Sequence, residues 1–316
     1  MRIILITQGL SRFLLPLMQS GHTVVGIIES MPRNFTKSKK DSLLYCLLKK
    51  IYSLFNKNYQ TLQGFCEDRN IKYTHICEGR DKEVERWVGS IAPDLIVVFS
   101  MSQLLKESIF RKAKYGTINM HPSYLPEYRG ANPDFWQYYD LEMNPGVTVH
   151  YVNEGEDTGD IIFQKRVHIP QGTKSPERLD KLITETGVPL MLQAIQAIKE
   201  GGAPRTPQPS KSPTDRARNL KVDEHATIID WKKWPIERTW HVLRGTELWL
   251  NAVEQPSGLF KGQRWVIGDF ERYSNQDQAG SIVKYKGRTA VAVPEGYIFL
   301  SINFSFKKAV LNSLKI

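Results

Sequence analysis

Residues 116–160 read GTINMHPSYLPEYRGANPDFWQYYDLEMNPGVTVHYVNEGEDTGD, and the reading of this stretch decides the fold. It opens with the alternation Gly116-Thr117-Ile118-Asn119-Met120-His121. A period of two places Thr117, Asn119 and His121 on one face of a strand. A Pro- and Tyr-rich loop follows, then a second alternation over residues 146–151, then the turn Glu154-Gly155-Glu156-Asp157-Thr158-Gly159. Asn119 can donate a hydrogen bond to a carbonyl oxygen, His121 titrates near neutral pH, and Asp157 can hold or deprotonate a cation. A strand that carries Asn and His to its carboxyl end is a common way to furnish an α/β active site. The same residue types also serve plain structure: Asn-x-His as a capped turn, Asp157 as a turn or cap residue. Spacing alone therefore names no reaction.

Outward from this stretch, the N-terminal half reads as α/β. The apolar run 2–6, the break Thr7-Gln8-Gly9-Leu10-Ser11 and a second strand over 23–28 form a βαβ unit, with Ser11 expected to cap the intervening helix. The loop lacks G-x-G-x-x-G, which argues against a dinucleotide site, but a loop feeding a helix N-terminus suits an anion. Gln8 and Arg12 in this loop are candidates for touching substrate. Helices are expected over 41–55, 61–69 and 81–91, with an edge strand over 72–76. Leu95-Ile96-Val97-Val98-Phe99 is the clearest buried strand. The segment 161–169 alternates as an edge strand. A long helix follows from Ser175, its N-cap, with Pro176 in the first turn, and Gly201-Gly202 stops it. Four prolines, Pro204, Pro207, Pro209 and Pro213, mark 203–213 as a linker between domains. Beyond it a helical stretch over 236–243 precedes short alternating runs at 264–269, 279–284, 289–293 and 298–302, spaced like a small β-barrel or meander.

The chain has 316 residues, 41% hydrophobic and 24% charged, which fits two globular domains with ample core. No apolar stretch approaches the ~18 residues of a membrane span. The start, Met1-Arg2-Ile3-Ile4-Leu5-Ile6, is punctuated too soon for a signal peptide. Three cysteines, Cys46, Cys66 and Cys77, lack C-x-x-C spacing, which points to a reducing cytoplasm and away from a metal site. A net charge of +10 attracts polyanions, whether nucleic acid or a diphosphate. The lysine-bearing apolar segment around 37–58, with Lys37, Lys39 and Lys40 at its start, reads as a helix on the domain surface.

The runs HPSYLPEYRG and GVTVHYVNEGEDTGDII resemble the signature of the folate-dependent formyltransferases, a superfamily that includes methionyl-tRNA formyltransferase and the sugar N-formyltransferases. The resemblance matches Asn119, His121 and Asp157 to the family's catalytic Asn, His and Asp. It implies 10-formyltetrahydrofolate as co-substrate and no metal. It places the folate between the loop Ser100, Met101, Ser102, Gln103, Leu104 and Leu105 and the loop Ser123, Tyr124, Leu125 and Pro126. It also implies a Rossmann-like formyltransferase domain over 1–203 and a smaller OB-like β domain over 204–316. His150 and His168 read as strand or surface histidines.

The acceptor amine is where the family divides. Arg129-Gly130-Ala131-Asn132-Pro133-Asp134-Phe135-Trp136 departs from the small residues that follow the Arg-Gly pair in the tRNA enzymes. It is similar to the Arg-Gly-x-Asn-Pro-x-x-Trp run of sugar N-formyltransferases. The resemblance thus implies a nucleotide-linked amino sugar as acceptor, for a surface polysaccharide, with tRNA as the alternative and a non-catalytic binding module as a second one. Tyr128 and Trp136 are candidate aromatic faces for base or sugar, and Arg12 and Arg129 candidate diphosphate partners. A homodimer is compatible with this reading.

Overall fold

Ile3, Ile4, Leu5 and Ile6 are fully buried. A strand apolar on both faces belongs in the middle of a sheet covered on both sides. The computed structural model describes residues 1–33 and 61–304, so the helix expected over 41–55, with Lys37, Lys39 and Lys40, lies outside the described residues. Strand β1 (Arg2–Thr7) is flanked by β2 (Thr23–Ser30) on one side and β4 (Leu95–Val98) on the other. With β3 (Lys72–Ile76) and β5 (Thr117–His121) these pair in parallel; β6 (Gly146–Tyr151) and β7 (Ile161–Arg166) extend the sheet antiparallel. The order is β3-β2-β1-β4-β5-β6-β7. The chain turns in opposite directions from β1, which makes the carboxyl ends of β1 and β4 a topological switch point, where open α/β sheets bind ligands.

Alternate residues of β1 and β4 feed one core layer. Ile4, Ile6, Ile96 and Val98 join Ile28 and Ile76 and meet Val84, Val88 and Ile91 of α3 (Asp81–Ile91). Each such side chain contributes roughly 1.5–3 kcal/mol by burial. Helix α1 (Leu14–Gln19) is shorter than expected and is not capped by Ser11, whose hydroxyl is buried without a partner; the Ser11 carbonyl instead accepts from Leu14 N. Helix α2 (Leu62–Asp68), within the helix expected over 61–69, is capped by Thr61, whose hydroxyl accepts from Gly64 N at 3.0 Å. A short α4 (Glu107–Phe110) follows β4.

The long helix expected from Ser175 is three pieces. Helix α6 (Ser175–Leu179) has Ser175 as its first residue, a π-helical stretch spans Asp180–Gly187, and α7 (Val188–Glu200) ends at Gly201 in the left-handed region. Pro189 accounts for the break, since it offers no N–H to the preceding turn and its ring collides with the carbonyl four residues back. Gly187 ends the π stretch against the sheet. A Cβ there would lie 2.5 Å from the Met120 sulfur and 3.1 Å from the Leu182 carbonyl.

The chain forms two compact units that do not follow one cut at 203. The first contains Met1–Ala131, Gly146–Val167 and Asp180–Arg216, and the second Asn132–Pro145, His168–Leu179 and Ala217–Ile316. The proline-rich segment packs on the first unit because the polar residues between its prolines find partners there. Thr206 pairs with Ile161, with N–O distances of 2.9 and 3.0 Å. The second unit takes α5 (Pro133–Tyr139), α6 and α8 (Ile236–Thr246), together with β8 (Trp265–Arg272), β9 (Ile282–Tyr285), β10 (Arg288–Val293) and β11 (Gly296–Ile302). Its four strands form an antiparallel sheet in the order β8-β11-β10-β9, a meander with β8 added beyond β11. Ile236, Val242 and Leu243 of α8 meet Ile267, Val291, Val293, Ile298 and Leu300 in its core. Arg178, fully buried, reaches Asp134 at 2.7 Å and so ties α6 to α5. Among the described residues no helix is long and apolar enough to cross a membrane.

The close approach at Gly187 is testable. Gly187→Val inserts a branched side chain where one methyl group already collides, and overpacking of this kind costs about 1–3 kcal/mol. A urea unfolding curve should show the midpoint lowered with the slope kept; an unmoved midpoint would refute the packing described.

Candidate active site

Asn119 and His121 stand at the carboxyl end of β5 because period-two alternation and β5's own register put them there. The register with β6 then decides what faces them. Asn119 lies opposite His150, and His121 opposite Thr148. Asn119 Nδ2 is 3.2 Å from His150 Nε2 and 3.5 Å from Asp157 Oδ1. His121 Nδ1 is 3.5 Å from Asp157 Oδ2, and His150 Nε2 is 3.6 Å from Asp157 Oδ1. The three sequence-predicted residues are thus brought together, and a fourth polar side chain, His150, stands with them. His121 and His150 are both buried.

Protons can be assigned from the partners. His121 Nε2 lies 2.9 Å from the Tyr128 carbonyl, which only accepts, so Nε2 carries a proton. Its Nδ1 faces the Asp157 carboxylate, so a proton on that nitrogen would lie between the two. His150 Nδ1 lies 2.8 Å from the Tyr151 carbonyl, so Nδ1 also carries a proton. In neutral His150 the Nε2 lone pair then accepts one Asn119 N–H. That contact fixes the Asn119 amide. Its second N–H reaches Asp157 at 3.5 Å, a distance at which the bond is weak and readily exchanged for a better acceptor.

Asp157 sits in the left-handed region at φ 55°, which Asp tolerates better than most residues. The backbone N–H of Gly130 donates to its Oδ2 at 3.0 Å. Burial works against the charged carboxyl, but the imidazoles of His121 and His150 opposite it and the Gly130 amide outweigh it, and Asp157 is held well below the usual carboxylate range. The turn lies hard against β6: a Cβ on Gly159 would fall 1.8 Å from the Tyr151 carbonyl oxygen.

The loops expected to line a cofactor sit at the ends of the same strands. After β4, Ser100 Oγ donates to Gln8 Oε1 at 3.0 Å, and Gln8 Nε2 donates to Ser102 Oγ, so Gln8 ties the β1 loop to the β4 loop. Gln103 Nε2 donates to the Met31 carbonyl at 2.6 Å, and Ser102 N to Ser30 Oγ at 3.0 Å. Met101 and Leu105 pack on the core while Leu104 is exposed. After β5, Ser123 Oγ donates to the Glu127 carbonyl, and Leu125 N to Thr148 Oγ1 at 3.0 Å. The Leu125–Pro126 peptide is cis, and Arg166 lies over the Tyr124 ring at 4.2 Å.

The acceptor-side candidates separate. Tyr128 is buried, and its backbone serves the site through the carbonyl on His121. Arg12, exposed, pairs with Asp180 and reaches Thr184 at 3.1 Å. Arg129 is buried, and its guanidinium donates to Gln208 and to the carbonyls of Pro209 and Ser210. Trp136 belongs to the second unit, where its indole donates to the Arg218 carbonyl at 2.7 Å beside Phe135 and Tyr139. Sequence reasoning set His150 aside; the available signal was its place in GVTVHY, an alternating run that must pair with β5 or with its own neighbour. Among the described residues, no cluster of His, Cys, Asp and Glu is placed to hold a metal ion.

His150→Leu removes the acceptor that fixes Asn119 while keeping the buried volume. Turnover should fall by on the order of 10-fold or more, with circular dichroism unchanged, because a misdirected donor loses much of its effect. His121→Ala and Asp157→Asn should each fall by ~10²-fold or more. Near-normal turnover in either of the latter two, with the fold intact, would remove the pair from the reaction.

The chain matches the family model described as formyl transferase over residues 50–195. A methionyl-tRNA formyltransferase of Carboxydothermus hydrogenoformans is 34% identical over 187 residues, 59% of this chain and 58% of that protein. A second, from Pelotomaculum thermopropionicum, is 30% identical over 228 residues, covering 68% of this chain and 69% of the relative. The chain thus spans little more than half the length of the first of these. Among solved structures, the sugar 3N-formyl transferase WlaRD, in the presence of dTDP and 5-N-formyl-THF, aligns with a TM-score of 0.61 at 17% identity, covering 97% of this chain and 99% of that one. At that identity the likeness is one of fold.

Proposed function

The chain belongs to the formyl transferase family, and we propose that it moves a formyl group from 10-formyltetrahydrofolate to the primary amine of a nucleotide-linked amino sugar. The observation that carries the chemistry is the convergence of Asn119, His121 and Asp157 on one point at the carboxyl edge of β5, with His150 fixing the Asn119 amide. The donor would be held by the loop 100–105, at the switch point of the sheet, and the loop 123–126, at the carboxyl end of β5. It supplies the formyl carbon; everything else falls to this chain's residues.

A neutral amine attacks the formyl carbon, a new C–N bond forms, and the oxygen takes up negative charge. The second N–H of Asn119, weakly held at 3.5 Å, turns to that oxygen, and a proton on His121 Nδ1 would lie within the same cluster. One such donor lowers the barrier by about 2.7–4 kcal/mol. The C–N bond to the folate then breaks, and its nitrogen leaves with a proton delivered from His121. A carboxylate held as low as Asp157 is a weak base, so its part is electrostatic: it faces His121 and favours the ammonium formed on attack. The amine's proton returns to His121 and closes the cycle. No covalent link to the protein forms.

The run Arg129-Gly130-Ala131-Asn132-Pro133, together with Trp136, supports the sugar as acceptor. The relatives from Carboxydothermus and Pelotomaculum, both methionyl-tRNA formyltransferases, favour tRNA as the second reading. Salt separates the two. A tRNA substrate engages several phosphates, so its affinity should fall on the order of 10³-fold between 50 and 200 mM salt for six contacts. A nucleotide sugar offers one diphosphate and a shallow dependence. We expect formylated product with a nucleotide-linked amino sugar, none with charged initiator tRNA, and little effect of replacing Lys37, Lys39 and Lys40 together by Ala. Formylated methionyl-tRNA, lost in the triple variant, would decide for the second reading.

A further inference from the structure

We infer that Gln208 is a positioning residue for the reaction: its amide, oriented by the buried Arg129, holds the turn 157–159 so that the Asp157 carboxylate faces His121. This rests on the formyl-transfer reading for its consequence but not for its geometry. All the groups concerned lie in the first unit.

Arg129 only donates. Its Nε and Nη2 reach Gln208 Oε1 at 3.2 and 2.7 Å, and its remaining contacts go to the carbonyls of Pro209 and Ser210 at 2.8 and 3.3 Å. The oxygen of the Gln208 amide is therefore the end that meets Arg129, and the nitrogen end faces away. That nitrogen donates to the Asp157 carbonyl at 3.0 Å and to the Gly159 carbonyl at 2.7 Å. Both N–H groups are used, one on each side of Thr158. The turn they grip is one that needs holding, because Asp157 is in the left-handed region and Gly159 is pressed on β6. A non-glycine residue held at that φ is strained relative to ordinary backbone. A few tenths of an ångström at the Asp157 Cα would change the 3.5 Å contact with His121.

The same segment grips the other side of the pair. Ser212 Oγ donates to the Pro126 carbonyl at 2.7 Å, and Tyr128 N donates to Thr214 Oγ1 at 2.7 Å. Tyr128 is the residue whose carbonyl meets His121 Nε2. Residues 206–214 therefore fasten the backbone behind both members of the His121–Asp157 pair. Arg129, buried and fully engaged, serves this strap rather than a diphosphate.

The test uses the full-length chain. Gln208→Met keeps the side-chain length and loses both the donors and the acceptor; Gln208→Glu keeps the acceptor for Arg129 and loses the donors. With whichever acceptor amine the product assay identifies, both variants should lower kcat by on the order of 10–100-fold, as an ångström-scale misplacement does, with KM changed less than about threefold. Lys211→Ala, an exposed change in the same strap, should leave both constants unchanged. A second readout needs no acceptor: the ¹⁵N resonances of His121, followed through a pH titration. In Gln208→Glu and Gln208→Met its titration should shift in the direction that Asp157→Asn shifts it. If the His121 titration matches the wild type in both variants, the proposal is overturned, whatever the reaction proves to be. A loss of kcat accompanied by an equal rise in KM and unmoved His121 resonances would also overturn it. If no amine is formylated, the reading of the reaction fails, and the titration still judges the role of Gln208.

Discussion

The site depends on the register of one strand pair. β5 pairs in parallel with β4 and antiparallel with β6, so β5 is the line along which the sheet changes direction. A slip of one residue would turn every side chain of β6 to the other face. His150 would leave Asn119, and Thr148, which bonds both the Ser123 carbonyl and the Leu125 N–H, would leave the loop that follows β5. The register is pinned by burial on both faces: all six residues of β6 are buried. Gly146 adds a steric stop, since a Cβ there would lie 2.8 Å from Tyr124 Cβ and 2.9 Å from the Lys165 carbonyl.

Within that frame the charges are balanced by geometry rather than by solvent. A buried carboxylate is costly unless opposite charge and hydrogen-bond donors surround it. Asp157 has two imidazoles and a backbone N–H, and each imidazole discharges its far nitrogen on a main-chain carbonyl, Tyr128 or Tyr151. Within the cluster the contact of Asn119 with Asp157, at 3.5 Å, is the weak hydrogen bond.

Much of this was legible in the sequence. The apolar runs 2–6 and 95–99 announced buried parallel strands, and the alternation through Thr117, Asn119 and His121 placed two of the three site residues on one face. The folate-dependent family resemblance supplied the role expected of Asp157. Other features were not legible, for physical reasons. His150 in GVTVHY is indistinguishable from a packed strand histidine until the partner strand and its register are known. Arg129 and Gln208 lie 79 residues apart, and no local pattern couples them. The prolines of 203–213 read as a tether because proline lacks a donor, yet the residues between them, Thr206, Gln208, Ser212 and Thr214, carry the bonds. The break at 180–187 was hidden because Leu179, Leu182 and Ile183 also fit the i, i+3, i+4 spacing of an α-helix.

The interleaving of the two units bears on how such a chain can be rebuilt. The polypeptide crosses between them at 131/132, 145/146, 167/168, 179/180 and 216/217. The residue after the first crossing, Asn132, is two places beyond Gly130, and α5, with Phe135 and Tyr138 buried, is contributed to the second unit from inside the stretch 116–160 that carries Asn119, His121 and Asp157. A fragment ending at 203 would keep that apolar helix without its core and would lack residues 206–214. The second unit is thus no detachable module: one junction does not separate it from the first, and rebuilding it has to proceed through changes in three separated segments.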